Sequence, residues 1–391
     1  MIRLWRLIRS LVKLKWRFRP PSRRNVLLYF KTGADVIAPY FEPHEFQILD
    51  LRESEVNIAI ALKCLYQRDL SAKNYARQFI QAARPKLIIT FIDNFQPFFL
   101  LKHEFPGTQT LLIQNGIRSN RGDLFDLLAS THSAEKYEVD NMFVFGSEVG
   151  AKYLEHISGK LIVHGSFKNN LIPKSAYRKN TVAYISTYRP NQNLEFIVPG
   201  SEPNKPIRYG EIISRRANVI SWLTKYCQKN SLYLTIIGKD EDPQREEHYY
   251  RLLLANSQFD FVAKKSSATS YQAIDKSEIV VFTSSTLGYE SLARGNKTAV
   301  IMLDAQIIDD DSLKFGWPVK LADEGIFWTH QLNEERLYEI LDFLRIVKDE
   351  DWNQIRSQTI KDVISFDPGN SKFSAVVESL RQSWRRQQSN N

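Results

Sequence analysis

The sequence contains few cysteines and no long apolar segment. Only two cysteines, Cys64 and Cys227, occur among its 391 residues, and neither belongs to a CxxC or Cys/His cluster. We therefore expect neither a disulfide framework nor a structural zinc site, which fits a reducing compartment. The chain also lacks a run of about 18 uncharged apolar residues, so the sequence predicts no transmembrane helix.

Acidic residues are missing from the first 24 positions. This arm contains nine Lys and Arg residues, which account for the net charge of +9, because the rest of the chain has equal numbers of bases and acids. A nucleic-acid-binding domain usually spreads its basic residues over a folded face. A basic arm joined to an electrically balanced body does not fit that pattern, so we expect no nucleic-acid partner.

The arm has the periodicity of a helix that lies in a membrane interface. On a helical wheel of residues 2–18, apolar side chains fall on one broad side with Trp5 and Trp16 at its edge. Basic side chains occupy the other side, namely Arg3, Arg6, Arg9, Lys13 and Arg17. Cations attract anionic headgroups, and Trp rings favour the headgroup boundary. We predict that residues 1–21 form an amphipathic helix that holds a cytoplasmic protein on the inner face of the plasma membrane; a helix packed on the body is the alternative.

Two series of short apolar strands alternate with amphipathic helices in the body of the chain. The first series has strands at 26–30, 46–51, 87–92, 110–114, 142–145 and 161–164, and the second at 182–185, 232–237, 259–262, 279–282 and 298–302. Such strands form parallel sheets covered on both faces, and functional groups collect beyond their carboxyl ends. We predict an α/β protein with two Rossmann-like domains, at 22–170 and 171–375, followed by a basic tail at 376–391.

The strand at 279–282 leads into the clearest anion-binding pattern. Ser284, Ser285 and Thr286 follow the strand, a helix then begins, and Glu290 lies on that helix. Free N–H groups and the positive dipole at a helix N-terminus attract phosphate, and hydroxyl groups add donors. These residues are candidate contacts of a nucleotide phosphate, and an ordinary Ser/Thr helix cap is the alternative.

The segment SSTLGYESLARGNK resembles the donor site of GT-B glycosyltransferases, a group that includes the teichoic-acid polymerases. Further segments are similar to the bacterial surface-carbohydrate-biosynthesis family: TFIDNF at 90–95, IQNGIR at 113–118, HGSFKNN at 164–170, FGWP at 315–318 and GIFW at 325–328. The resemblance implies a GT-B fold, with two Rossmann-like domains facing across a cleft. It also implies a nucleotide-sugar co-substrate in the C-terminal domain, an acceptor in the N-terminal domain, and no metal or other cofactor.

The resemblance places the acceptor and the acid/base group in the N-terminal half. Asp93 follows an apolar strand, so its carboxylate is a candidate base for the acceptor hydroxyl proton, with helix capping as the alternative. Arg118 is a candidate partner of an anionic acceptor or of the donor phosphate, with a solvated loop residue as the alternative. Candidate hydrogen-bonding groups for the acceptor sugar are Asn94, Gln114, Asn115 and Gly116, although Asn-Gly is commonly a simple turn.

Two further strand ends of the second series are expected to border the donor. Ser186, Thr187 and Arg189 occupy the loop after the strand at 182–185, and Lys239 follows the strand at 232–237. Lys239 is a candidate phosphate partner, and a surface lysine is the alternative. The three aspartates at 309–311 have no partners at metal-ligand spacing, so no metal site is expected.

Together these features predict a glycosyltransferase that transfers a sugar from a nucleotide-sugar donor to a growing surface polysaccharide or lipid-linked glycan. Its expected partners are the donor, the glycan acceptor and an anionic inner-leaflet membrane surface. One alternative is a CDP-polyol phosphotransferase of the teichoic-acid type, and another is a non-catalytic membrane-bound sugar-binding scaffold. A hydrolysing sugar-nucleotide epimerase shares the architecture but would have no use for the basic arm.

Overall fold

The computed structural model describes residues 15–51, 55–120, 122–130, 136–190, 193–198, 206–255 and 257–389. Its strands are β1 Lys15–Arg17, β2 Val26–Tyr29, β3 Phe46–Leu49, β4 Glu55–Asn57, β5 Leu87–Thr90, β6 Gln109–Ile113, β7 Tyr137–Val144, β8 Ile157–Val163, β9 Arg178–Ile185, β10 Tyr233–Ile237, β11 Asp260–Val262, β12 Ser277–Phe282, β13 Lys297–Ile301, β14 Glu324–Gly325 and β15 Trp328–Thr329. Its helices are α1 Ala34–Ile37, α2 Ile58–Tyr66, α3 Ala72–Ala83, α4 Gln96–Phe99, α5 Leu101–Glu104, α6 Leu124–Ser130, α7 Ser147–Leu154, α8 Phe167–Leu171, α9 Tyr209–Lys229, α10 Pro243–Leu253, α11 Ser267–Lys276, α12 Thr286–Ala293, α13 Asp304–Ile308, α14 Glu334–Ile346, α15 Asp349–Ile360 and α16 Ser371–Ser389.

The first large sheet contains six parallel strands in the order β3-β2-β5-β6-β7-β8. Alternate residues of β2 enter different apolar clusters, with Leu27 and Tyr29 on one side and Val26 and Leu28 on the other. The strand is apolar throughout because both faces of the sheet are covered. The strand order changes direction between β2 and β5, so their carboxyl ends form the topological switch point of this sheet.

The second large sheet has the order β11-β10-β9-β12-β13-β15-β14, and among these described strands only β14 is antiparallel to its neighbour. Its centre is completely buried, as all five residues of β13 show. The order changes direction between β9 and β12, which places a crevice beyond the carboxyl ends of these two strands. The α/β prediction of two mainly parallel sheets is confirmed.

Two glycines let the chain return from the second sheet to the first. After β7, a Cβ atom on Gly146 would clash with the Asp362 carbonyl, and after β8 one on Gly165 would clash with the Ser365 carbonyl. Gly165 also has a φ of +82°, a conformation that favours glycine. The Ser365 N–H donates to the Phe145 carbonyl at 2.7 Å. The returning segment therefore lies directly against the strand ends of the first sheet.

The last helix, α16, packs on the first sheet. Phe373, Val377 and Trp384 are buried in the same cluster as Val26 and Leu28 of β2. The helix runs without a break from residue 371 to 389. It belongs with the first domain, and the predicted boundary at residue 375 falls inside it. The predicted boundary at residue 170 falls inside α8, in the segment between β8 and β9.

The described part of the N-terminal arm is extended. β1 pairs in parallel with β4, with Lys15 opposite Glu55, and Arg17 Nε donates to the Glu55 carboxylate at 2.5 Å. The helix prediction is therefore wrong for residues 15–17, because main-chain pairing with a neighbouring strand outweighs the helical spacing of the side chains. Residues 1–14 lie outside the described residues, and there the helix stays a prediction. Within the described ranges, no helix is both long and apolar enough to cross a membrane.

A buried ion pair holds the linker between the two sheets, which leads from α8 to β9. Arg294, which follows α12, and Asp275 of α11 have fully buried side chains, and Arg294 Nε donates to Asp275 at 2.9 Å. Arg294 Nη1 also donates to the carbonyls of Asn169 at 3.1 Å and Ile172 at 2.8 Å. Because one guanidinium group serves the carboxylate and both carbonyls, the start of the linker is tied to the second domain.

We expect Arg294→Ala to lower the free energy of unfolding by about 3–5 kcal/mol, because Asp275 would stay buried without its counter-charge. Chemical denaturation measures this loss. The matched control is Lys152→Ala, which removes a partly exposed pair with Glu155 at 2.9 Å and should cost no more than about 1 kcal/mol. Equal losses in the two variants would contradict the proposed importance of the buried pair.

Candidate functional site

A cavity of about 170 Å³ lies at the switch point of the second sheet, beyond the carboxyl ends of β9, β10 and β12. Its lining comprises Ile185, Ile237, Gly238, Lys239, Lys264, Ser270, Tyr271, Ser285, Leu287 and Glu290. Ligand pockets usually measure about 300–1,000 Å³, so this cavity would hold one part of a nucleotide-sugar. Three of the predicted donor-binding residues, Lys239, Ser285 and Glu290, line it together.

Lys239 brings an ammonium group to the cavity. The Lys239 side chain is exposed, but partial desolvation by the protein around it and repulsion from the guanidinium groups of Arg189 and Arg216 lower its pKa to about 8. Arg189 itself is exposed, and its guanidinium carbon lies 5.9 Å from the centre of the Tyr209 ring. An anion placed among these cations would stabilise all of their charged forms.

The first turn of α12 borders the same cavity. Ser285 caps this helix, and its hydroxyl accepts a hydrogen bond from the Leu287 N–H at 3.2 Å. Ser285 and Leu287 both line the cavity, so the positive end of the helix lies beside it. Gly288 lets the helix approach β12, because a Cβ atom there would clash with the Phe282 ring. Ser284, one residue before the cap, is exposed.

Glu290 is a buried carboxylate that both domains contact. It is only 6% exposed. Ser166 of the first domain and Tyr271 of α11 both donate to its Oε1, the tyrosine at 2.9 Å. Burial raises the pKa of Glu290, and the two hydrogen bonds oppose that shift. Because Glu290 also lines the cavity, a ligand there would meet a carboxyl group whose position depends on both domains.

Ser186 and Thr187 hold the cavity in shape from behind. The Ser186 hydroxyl donates to the Glu246 carboxylate, and the Thr187 N–H donates to the Tyr250 hydroxyl at 3.3 Å. Glu246, which is fully buried on α10, also accepts from the N–H groups of Lys239 and Asp240, both at 2.9 Å. Its carboxylate thus joins the loop after β9 to the loop after β10. These two predicted donor residues support the cavity and are absent from its lining.

Residues 114–118, which we name the acceptor loop, contact the start of helix α12, the predicted donor helix. The Ile117 N–H donates to Thr286 Oγ1 at 3.3 Å. A Cβ atom on Gly116 would lie 3.4 Å from the same oxygen, an ordinary contact distance, so the loop lies directly beside the helix. Asn115 is exposed beside this contact. Thr286, a predicted donor contact, joins the two domains.

Asp93 and Arg118 form a buried ion pair. Asp93 is fully buried, Arg118 donates to both of its carboxylate oxygens, with 2.8 Å between Nε and Oδ2, and the Tyr153 hydroxyl donates at 2.6 Å. Burial lowers the pKa of Arg118, but the Asp93 carboxylate outweighs it, and the net shift is upward. The structure thus brings two predicted site residues together. A carboxylate occupied by these donors is poorly placed to take a proton from an acceptor.

Gln114 orders the acceptor loop from inside the protein. Its side chain accepts from the Phe145 N–H at 2.7 Å and donates to the Gly116 carbonyl at 2.9 Å. Both ends of this buried amide are therefore in use within the chain. Asn94, by contrast, is exposed next to Asp93. Of these two predicted acceptor contacts, Asn94 is the one that a ligand can reach.

Several cavity residues carry no local pattern that would have identified them. Ser270 and Tyr271 belong to α11, and Lys264 follows the short strand β11. Only the three-dimensional packing of these elements against β12 and α12 brings them to the site. For Ser166 the sequence did contain a signal, because this residue lies in the HGSFKNN segment that resembles the family. In the structure it follows Gly165, whose positive φ forms a tight turn at the end of β8.

Several solved structures are similar to this chain. A structure described as a "putative UDP-N-acetylglucosamine 2-epimerase from Listeria monocytogenes" has a TM-score of 0.56 at 12% identity and covers 93% of this chain and 98% of its own. A glycosyltransferase from Rickettsia africae has a TM-score of 0.48 at 10% identity, covering 92% and 98%. The UDP-GlcNAc 2-epimerase from Methanocaldococcus jannaschii in complex with UDP-GlcNAc and UDP has a TM-score of 0.48 at 9% identity, covering 90% and 99%.

The first of these similarities confirms the predicted fold, two Rossmann-like domains in the GT-B arrangement. No curated protein sequence matches the chain significantly. A family model described as "putative O-antigen biosynthesis protein" matches residues 111–381, which is more than half of the chain. This match includes the acceptor loop, the cavity of the second sheet and the first part of the returning helix α16. The chain therefore belongs to this O-antigen biosynthesis family, as its resemblance to surface-carbohydrate proteins predicted.

Proposed function

We propose that the protein is a glycosyltransferase that moves a sugar from a nucleotide-sugar donor to a growing surface polysaccharide or lipid-linked glycan. One observation carries the proposal: the cavity at the switch point of the second sheet combines a helix N-terminus, a lysine and a buried carboxyl group. This is the chemistry that binds phosphate and sugar hydroxyl groups. Membership in the O-antigen biosynthesis family supports the same assignment.

In the proposed donor complex, the phosphates lie between the first turn of α12 and Lys239. Ser285 and Leu287 border this position. Ser284 is exposed just before Ser285, and the charge of Arg189 acts on Lys239, so we propose both as contacts of the leaving phosphate. Glu290 would accept from a hydroxyl group of the nucleotide or of the sugar. Helix dipole, lysine and arginine provide the positive charge, so the proposed chemistry needs no metal or other cofactor.

The acceptor would lie on the first-domain side of the same cleft. Asn94 and Asn115 are exposed at the carboxyl ends of β5 and β6 and are available for hydrogen bonds with a glycan. Gln114 orders this loop by donating to the Gly116 carbonyl, and the Ile117 N–H holds the loop against α12. Asp93 keeps Arg118 in place, and this positioning role is favoured over general base catalysis because the carboxylate is buried and paired.

The proposed location is the cytoplasmic side of the plasma membrane, where nucleotide-sugars and lipid-linked acceptors would meet. The basic composition of residues 1–24 supports attachment to an anionic inner leaflet. A CDP-polyol phosphotransferase and a sugar-nucleotide epimerase remain the alternative enzymes. They differ from a glycosyltransferase in measurable products, a phosphodiester and a free epimeric sugar-nucleotide or sugar, respectively.

The first test is nucleotide binding by the purified full chain, measured as a thermal shift with CMP, CDP, UDP and GDP and then by calorimetry. A ligand at about 100 times its dissociation constant stabilises the folded state by roughly 2.7 kcal/mol. We expect one nucleotide to raise the melting temperature and its sugar conjugate to be consumed only with a glycan acceptor. Stabilisation by CDP alone favours polyol-phosphate transfer, and no stabilisation by any nucleotide contradicts the proposal.

Ser285→Ala should weaken binding of that nucleotide about tenfold, because the helix loses a hydroxyl donor and its cap. The matched control is Ser71→Ala, which removes the equivalent cap of α3, where Ser71 accepts from the Asn74 N–H at 3.1 Å. Both variants should lose about 0.5–2 kcal/mol of stability, but only Ser285→Ala should lose affinity. Equal affinities would remove Ser285 from the donor site.

Nucleotide affinity should fall as the pH rises above 8. In the free protein the pKa of Lys239 is about 8, so the ammonium that attracts phosphate is present below this pH and is lost above it. The expected decrease is up to about tenfold per pH unit until the raised pKa of the bound state is reached. Titration calorimetry from pH 7 to 9.5 measures it. Lys239→Arg stays charged throughout and should give a flat profile; a flat profile in the parent protein would contradict the contact.

Asp93→Asn distinguishes the positioning role from general base catalysis. If Asp93 is a positioning residue, Asp93→Asn should lower the free energy of unfolding by about 3–5 kcal/mol, because Arg118 loses its buried charged partner. Asp123→Asn is the matched control, since Asp123 pairs with the same arginine at 3.4 Å and is more exposed; it should cost less. Full stability combined with loss of transfer activity in Asp93→Asn would instead identify a catalytic base.

A further inference from the structure

Helix α2 is apolar on two sides. Ile60 and Cys64 are buried in the core of the first domain. Leu62, Leu65 and Tyr66 lie on the outer side, with exposed fractions of 59%, 58% and 91%. A helix that is apolar all round is normally enclosed by protein or by lipid. The outer side of α2 therefore has the composition of a contact surface.

The N-terminal arm extends this surface. β1 pairs with β4, and β4 leads directly into α2. The side-chain amide of Asn57 donates to the Arg19 carbonyl at 2.7 Å, while its oxygen accepts from the Ile60 N–H at 3.3 Å and caps α2. One residue thus ties the arm to the start of the helix.

The two segments hold a disproportionate share of the exposed apolar side chains. Six of the sixteen large hydrophobic side chains that are exposed among the described residues lie in the arm, in α2 and in the turn after it. They are Trp16, Phe18, Leu62, Leu65, Tyr66 and Leu70, and we name this set the α2 face. Scattered exposed hydrophobic residues are normal on a protein surface, but a concentration of this kind marks an interaction site.

The surroundings of the α2 face are basic. Residues 15–24 contain five Lys and Arg residues and no acid. Lys63 and Arg68 are exposed among the apolar side chains, together with one acid, Asp69. A groove of about 590 Å³ between the arm and β3 has more basic than acidic side chains in its lining. Its charged lining consists of Lys15, Arg17, Arg19, Lys31, Asp50 and Glu55. The apolar face is therefore accompanied by a surplus of positive charge.

We infer that the α2 face is where the first domain docks on an anionic lipid bilayer. The leucine and tyrosine side chains enter the interfacial layer, while the neighbouring bases contact lipid phosphates. Charge complementarity selects this occupant over a second copy of the chain, because two such basic faces would repel each other. The inference deepens the proposed function, since it supplies the surface that presents a lipid-linked acceptor to the first domain.

The test is partition of the full chain onto phosphatidylcholine vesicles containing about one third phosphatidylglycerol, measured by co-sedimentation. Leu62→Glu/Leu65→Glu places two charges on the exposed side of α2 and leaves the buried side unchanged. We expect at least a tenfold loss of vesicle partition in this double variant. The matched control, Leu252→Glu, changes a leucine that is 68% exposed on α10 of the second domain and should bind vesicles like the parent protein.

Melting temperature and nucleotide affinity of each variant establish that folding and the donor site are intact. A variant that misfolds or loses its donor site would show a lower melting temperature or a weaker nucleotide affinity. Such a result is thus distinguished from failure of the docking inference. Unchanged partition of the double variant would overturn the inference, because the bases alone would then account for binding. A dimer of the parent protein in sedimentation velocity that the double variant dissolves would also overturn it, in favour of a second copy. Loss of partition in Leu252→Glu as well would show that no particular face is used.

Discussion

Parallel pairing of strands is the constraint on which the rest of this structure depends. Parallel strands require a crossover after each strand, so all carboxyl ends in a sheet collect at one edge. Among the parallel strands of each sheet the order changes direction once, between β2 and β5 and between β9 and β12. The crossovers on the two sides of such a point leave in opposite directions, and a crevice remains between them. The position of the cavity therefore follows from the order of the strands.

The polar groups at this edge serve the contact between the domains as well as the cavity. Thr286 accepts from Ile117, and Glu290 accepts from Ser166, so both contacts cross from the second domain to the first. Buried polar groups need partners, and each domain supplies them to the other. Such contacts are hydrogen bonds that water can replace. Apolar packing adds to these contacts, since the Phe125 ring of the first domain lies 5.8 Å from the Trp317 ring of the second.

The sequence predicted those features that are local. Apolar runs marked the central strands because both faces of each sheet are covered, and the run predicted as a strand at 279–282 lies within β12. Features that depend on distant partners were missed. The strand Lys15–Arg17 forms only by pairing with Glu55–Asn57, and the partners of Asp93 lie 25 and 60 positions away along the chain. Spacing within a segment contains no information about such partners.

The return of the chain determines how the two domains can move. Both described ends of the chain, β1 and α16, lie on the first domain, so the second domain is inserted between two connections, one after α8 and one after α15. A domain held by a single linker can twist about it and tumble. With two strands of chain side by side, twisting is resisted, and bending about the line that joins them is the easy motion. We therefore expect the cleft to open and close by a hinge motion about the two connections, so that the same strand edges face each other in the open and the closed form.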